Sequence, residues 1–154
     1  MSSTSPHAPP VTPEDRGCLA CRTAAGEFAR EEVYRDDRVV AVVAHHAVNP
    51  GHLVVIPLEH VRNALTMTDA LISHLVCVAR DLARILPRVT ESPSVMLLFN
   101  NEAPCQTLFH AHLHVVPRQS GDPLDFPAGK PVDAAERSIV AARIRAGMTE
   151  STPD

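Results

Sequence analysis

The segment His110-Ala111-His112-Leu113-His114-Val115-Val116-Pro117-Arg118 sets imidazoles and apolar side chains in strict alternation. A period of two belongs to an extended strand, whose successive side chains point to opposite faces. The strand buries Ala111, Leu113 and Val115 in a core and lays His110, His112 and His114 along the other face, about 7 Å from one ring to the next. Three readings are open for such a row: a solvated polar face, a metal site, or a set of catalytic groups. Each buried imidazole needs a hydrogen-bond partner, so a chance cluster would be destabilising and the last two readings are favoured.

The rest of the chain supplies a scaffold for that strand. Glu32 to Tyr34, Val39 to Val43 and His52 to Ile56 read as short strands, parted by Asp36-Asp37 and by Val48-Asn49-Pro50-Gly51, which are turn signals. From Thr68 to Leu86 the period changes: Leu71, Leu75, Val78, Leu82 and Ile85 recur at helical spacing, with Thr68 as N-cap and Pro87 as the stop. Ser94 to Asn100 is an apolar strand, and the short polar loop 101–106 makes it a neighbour of the histidine strand. Asp133 and Glu136 stand at capping-box spacing before Ile139, Val140 and Ile144, which predicts a last helix ending near Gly147. Strands, then a helix, then strands give an α+β domain with an antiparallel sheet of five strands, one long helix and a C-terminal helix. The sheet is expected to be covered mainly on one face, leaving the other for a site or a partner subunit.

At 154 residues one domain is expected, 16–147, with a disordered leader over the proline-rich residues 1–15 and a flexible tail over 148–154. A net charge of −4 without a block of Lys or Arg argues against a nucleic-acid surface or a membrane-binding patch. No apolar run suits an export signal or a membrane span, which points to the cytoplasm and a reducing environment. There a Cys-x-x-Cys pair, here Cys18 and Cys21, is a metal half-site or a redox centre. The redox form expects the pair at a helix N-terminus within a βαβ unit, whereas this pair precedes a Gly-containing loop, so metal is favoured. Cys77 falls in the helical pattern and reads as a small buried hydrophobe. Asn100, Asn101, Gln106 and Thr107 place neutral donors just before the histidine strand, where they could hold a tetrahedral anion.

His-x-His-x-His followed by two apolar residues, here His110 to Val116, resembles the signature of the histidine triad (HIT) family. Cys18-Leu19-Ala20-Cys21, Ala24 to Glu27, Val33-Tyr34, Asp37 to Val39, Val48 to His52, Val54 to Pro57 and Glu59-His60 resemble the family's pattern in the same order, over roughly residues 16 to 118. The resemblance implies a homodimer whose two sheets join into one, and a nucleotide phosphohydrolase or nucleotidyltransferase that cleaves at the α-phosphate of a nucleoside phosphoramidate or related nucleotide. His112 would be the nucleophile and form a phospho-histidine. His114 would bond the phosphate and help the leaving group depart, and Asn100 or Asn101, Gln106, Thr107 and His52 would hold the phosphate. The zinc-containing bacterial branch further implies one structural zinc per chain on Cys18, Cys21, His60 and His110, a natural tetrahedral donor set.

Two positions depart from that pattern. The family usually has an aspartate eight residues before the histidine of Gly51-His52, accepting both ribose hydroxyls; here that position is Ala44, with His45 and His46 beside it. The family's usual glycine before the glutamine is Cys105. Loss of the ribose carboxylate keeps a second reading in view, a HIT scaffold recruited to a specialised biosynthetic or binding role with a non-standard substrate.

Overall fold

The computed structural model describes residues 17–124 and 129–150. They fall in two compact units divided after Leu124. The expected leader at 1–15 and the end of the expected tail, 151–154, lie outside the described residues.

The first unit runs α1 (Leu19–Ala24), β1 (Glu32–Arg35), β2 (Val39–Val43), β3 (Leu53–Pro57), α2 (Asp69–Thr90), β4 (Ser94–Phe99) and β5 (Leu113–Arg118). The strands form one sheet in the order β1-β2-β3-β5-β4, and every neighbouring pair is antiparallel. This is the five-stranded α+β architecture that the sequence predicts. Gly51, in the turn before β3, has φ +84, and a Cβ there would run into the Thr90 side chain at the end of α2. The turn signal therefore serves both a left-handed backbone and a close approach.

The alternation of side chains splits the core between the two faces of the sheet. On one face Val39, Ala41, Leu53, Val55, Leu113 and Val115 pack against Leu71, Leu75, Val78, Ala79 and Leu86 of α2. On the other, Val40, Val42, Ile56 and Leu58 meet Ala20 and Ala24 of α1. Because α1 is only six residues long, it covers part of its face and leaves the rest open beside the histidines.

Thr68 caps α2 as expected, its Oγ accepting the Leu71 N–H at 3.2 Å. Three expectations about this helix are corrected. Pro87 lies inside it, and the helix runs on to Thr90 before Glu91 closes it with φ 54; the Thr90 hydroxyl donates to the Leu86 carbonyl at 2.8 Å. Ile85 faces outward at 47% exposure and Leu86 takes the core position, as a true 3.6-residue period requires after Leu75, Val78 and Leu82. Cys77 is exposed, because it lies two residues, about 200° of helical rotation, past buried Leu75.

The second unit contains α3 (Ala134–Glu150), capped by Asp133, whose Oδ1 accepts the Glu136 N–H at 2.9 Å. It continues past Gly147, where the sequence predicts an end. Among the described residues no helix is long and apolar enough to cross a membrane.

Candidate active site and metal centre

Regular pairing of β5 begins at Leu113, so His110 lies in a bend ahead of the strand. The Ala111 N–H donates to the Val61 carbonyl at 2.6 Å and fixes this segment against the chain that follows β3. The three histidines consequently do not form one uniform row. His110 is wholly buried, while His112 and His114 are half-buried and line a cavity of about 260 Å³ on the α1 face of the sheet.

Hydrogen-bond accounting assigns the protons of the cavity histidines. The Val48 N–H donates to His52 Nδ1 at 3.1 Å, so neutral His52 carries its proton on Nε2. That Nε2 lies 2.9 Å from His114 Nδ1 and donates to it, which leaves the His114 proton on Nε2. His112 is set the other way round: its Nδ1–H donates to the His110 carbonyl at 2.7 Å, so its Nε2 holds a lone pair. The His112 and His114 rings meet edge to face with centroids 4.8 Å apart. A ring with a free lone pair and a ring with an N–H donor are thus neighbours. Burial, and after it the neighbouring imidazoles of His112 and His52, pushes His114 down to about 4. Burial and then the His112 charge lower His52 as well. Both rings are neutral donors at neutral pH rather than cations.

The buried ring of His110 faces the cysteines. Its Nε2–H donates to the Pro57 carbonyl at 3.0 Å, so Nδ1 presents a lone pair to Cys21 Sγ at 3.3 Å and Cys18 Sγ at 3.6 Å. Cys21 Sγ is also 3.1 Å from His60 Nδ1, and the four ligand atoms all lie within 4.8 Å of one another. Zn–S bonds of about 2.3 Å and Zn–N bonds of about 2.0 Å give tetrahedral edges of roughly 3.3–3.8 Å, close to the three sulfur–nitrogen contacts and shorter than the 4.8 Å limit of the set. Two thiols and two imidazoles, with the outer nitrogen of His110 already held by a carbonyl, suit such an ion. Cys18, Cys21, His60 and His110 therefore form a potential metal site. Cys18 is the N-cap of α1 and its Sγ accepts the Cys21 N–H at 3.4 Å. This corrects the expectation that the pair only precedes a loop; the antiparallel sheet nevertheless lacks the βαβ setting of a redox pair.

The expected phosphate-holding residues divide. Thr107 is exposed at the cavity wall, with its hydroxyl available. Asn100, one residue beyond the Phe99–Leu113 pair, falls by alternation on the His112 face but outside the cavity lining. Asn101 and Gln106 are engaged elsewhere. Asn101 Oδ1 accepts the Ala64 N–H at 2.9 Å. The Gln106 amide donates to the Arg62 and Leu108 carbonyls and accepts from the Glu102 N–H, so this buried side chain holds the loop instead of a ligand. His52 has both nitrogens taken, by the Val48 N–H and by His114.

Sequence reasoning missed the carbonyl of Pro57 and the amide of Val48, backbone groups that leave no side-chain signal. It also missed the loop support in which the Glu102 carboxylate receives Arg62 at 2.7 Å and Asn63 at 2.6 Å. Leu19 and Thr23, which line the cavity from α1, were detectable, since Cys18 and Cys21 are spaced for one helical turn.

A model described as the HIT domain matches residues 25–121. The chain is 33% identical over 102 residues to "Protein hit" of Bacillus subtilis, covering 66% of this chain and 70% of that one. It is 27% identical over 106 residues to "Adenylylsulfatase HINT3" of Arabidopsis thaliana, covering 68% of this chain and 54% of that one. The crystal structure of SMU.412c from Streptococcus mutans superposes with a TM-score of 0.79 at 31% identity, over 96% of this chain and 99% of that one.

Proposed function

The chain belongs to the HIT domain family, and on that footing we propose that it is a nucleotide phosphohydrolase or nucleotidyltransferase that cleaves at the α-phosphate through His112. The observation that carries this reading is the bond from His112 Nδ1–H to the His110 carbonyl, which leaves Nε2 as the nucleophile beside the donor Nε2–H of His114. Nε2 attacks phosphorus and forms an N–P bond while the bond to the leaving nitrogen or oxygen breaks and the leaving group takes a proton from solvent, which the attacking water or acceptor hydroxyl returns in the second step. Water or another acceptor then cleaves the N–P bond and restores the imidazole. His114 donates to the charge that develops on oxygen, with Thr107 and Asn100 as further donors. A relative whose name is an adenylylsulfatase supports chemistry at a nucleotide phosphate.

We place one structural zinc on Cys18, Cys21, His60 and His110. When bound, it clamps the start of α1 to the segment whose His110 carbonyl orients His112. The reading also includes a reducing cytoplasmic setting and a homodimer joined along β4. That strand ends the sheet order and packs against α2, and Leu97 of the strand at 40% and Val89 of the helix at 71% exposure are apolar side chains left uncovered.

The test is incubation with adenosine 5′-phosphoramidate. Wild-type protein should release AMP, and His112→Ala should lose more than about ten-thousandfold in rate, beyond the effect of losing an ordinary proton-transfer group. AMP release that survives His112→Ala would reject the assignment. The second reading, a scaffold recruited to a non-standard substrate, is favoured by one observation: Ala44 lines the cavity where a ribose carboxylate would be expected.

A further inference from the structure

The apolar wall beside the histidines, where Val54 is the cross-strand partner of His114, says what kind of organic group can sit beside the reacting phosphorus. Leu19, Val42, Ala44, Val54, Ile56 and Leu108 form that wall. Thr107, Thr23, whose hydroxyl donates to the Leu19 carbonyl, and five imidazoles, His45, His46, His52, His112 and His114, supply the polar groups, and among the described residues that line the cavity there is no carboxylate, lysine or arginine. A vicinal diol is held firmly by an acceptor that takes both hydroxyls, and a carboxylate does this because it accepts only and carries charge. Here no such acceptor is present. His52 and His114 are bonded to each other, His112 is committed to the His110 carbonyl on one side, and His45 and His46 are exposed at the rim, His45 with its ring edge-on to Phe28 at 4.7 Å. One imidazole nitrogen can meet one hydroxyl but not a pair. Hydroxyls turned to the aliphatic wall would lose water without replacement, at a cost in affinity.

We propose that this cavity binds phosphorylated compounds through the phosphate and the apolar faces of the organic group, without reading a vicinal diol, and that Ala44 is the position at which diol recognition is absent. The substrate class is a phosphate ester or phosphoramidate whose organic group is apolar or deoxygenated next to the phosphate-bearing carbon chain. This rests on the assignment of the cavity as the phosphate-handling site under Proposed function.

The experiment is calorimetric titration of the full chain with AMP and with 2′,3′-dideoxyadenosine 5′-monophosphate, alongside turnover of the two corresponding phosphoramidates. The dideoxy compound should bind within about threefold of AMP, or more tightly. Ala44→Asp should shift the ratio toward AMP by more than about tenfold, the weight of hydrogen bonds to a charged acceptor. Wild-type preference for AMP above tenfold, or binding of neither nucleotide, would overturn the inference. So would an Ala44→Asp protein that folds, by an unchanged melting profile, yet leaves the ratio at parity. Should both phosphoramidates resist turnover while both monophosphates bind equally, the catalytic reading fails and the diol-blind pocket stands. Should both be turned over with a strong ribose preference, the pocket inference fails and the catalytic reading stands.

Discussion

At the scale of single residues, the chemistry depends on which nitrogen of each ring carries the proton. His52 fixes the His114 tautomer by donating from Nε2 while Val48 holds its other side. It is therefore a positioning residue, and His52→Gln should lower kcat by roughly ten- to a hundredfold, by analogy with losing the partner that orients a metal-bound imidazole. KM should change little; an effect on KM alone would contradict this role. The same pair makes stability pH-dependent. His114 is at about 4 in the fold against an ordinary value of 6.5, so between these values the unfolded chain binds more protons. Its contribution is present in full above about pH 6.5 and is lost as the pH falls toward about 4, with lowered His52 acting in the same direction. Thermal melting from pH 7.5 to 4 should show this decline, and His114→Gln should flatten it. Parallel curves for the two proteins would rule it out.

At the scale of elements, the short helix α1 matters more than its length suggests, because it carries two of the potential metal ligands and part of the cavity wall. Cys18 has two tasks there, capping the helix and facing His110. Cys77 on α2 is exposed and has neither. Cys18→Ser should accordingly lower the melting temperature by several degrees and reduce zinc content below the expected one per chain, whereas Cys77→Ser should do neither. Equal melting temperatures, or metal-free wild-type protein, would count against the site. The helix was hard to read because six residues carry too little periodicity, whereas the 22 residues of α2 repeat their apolar spacing often enough to fix the helix, though not its last turn.

At the scale of the whole molecule, the first unit concentrates its chemistry on one face of the sheet because α2 occupies the other. The proposed dimer leaves that face available, since it uses the β4 edge. Analytical ultracentrifugation should give twice the chain mass, and Leu97→Lys combined with Val89→Lys should give a monomer. A wild-type monomer at micromolar concentration would refute the joined sheet. Most of the fold was legible from alternation, helical spacing and turn residues, and the potential metal set was legible from residue type and family resemblance. Less of the cavity was, because Asn101 and Gln106 are as plausible for a phosphate as Thr107 until their partners are seen.

The amino-acid order alone determined the five strands, the long helix and the inward phase of Leu113 and Val115, because these follow from local periodicity and from the need to bury apolar area. Only the tertiary structure decided that the Pro57 carbonyl holds the outer nitrogen of His110, that His52 serves His114, and that Gln106 supports a loop. Each of those outcomes depends on a partner many residues away, often a backbone carbonyl or amide, and such groups are identical along the chain until folding brings one of them within hydrogen-bond reach.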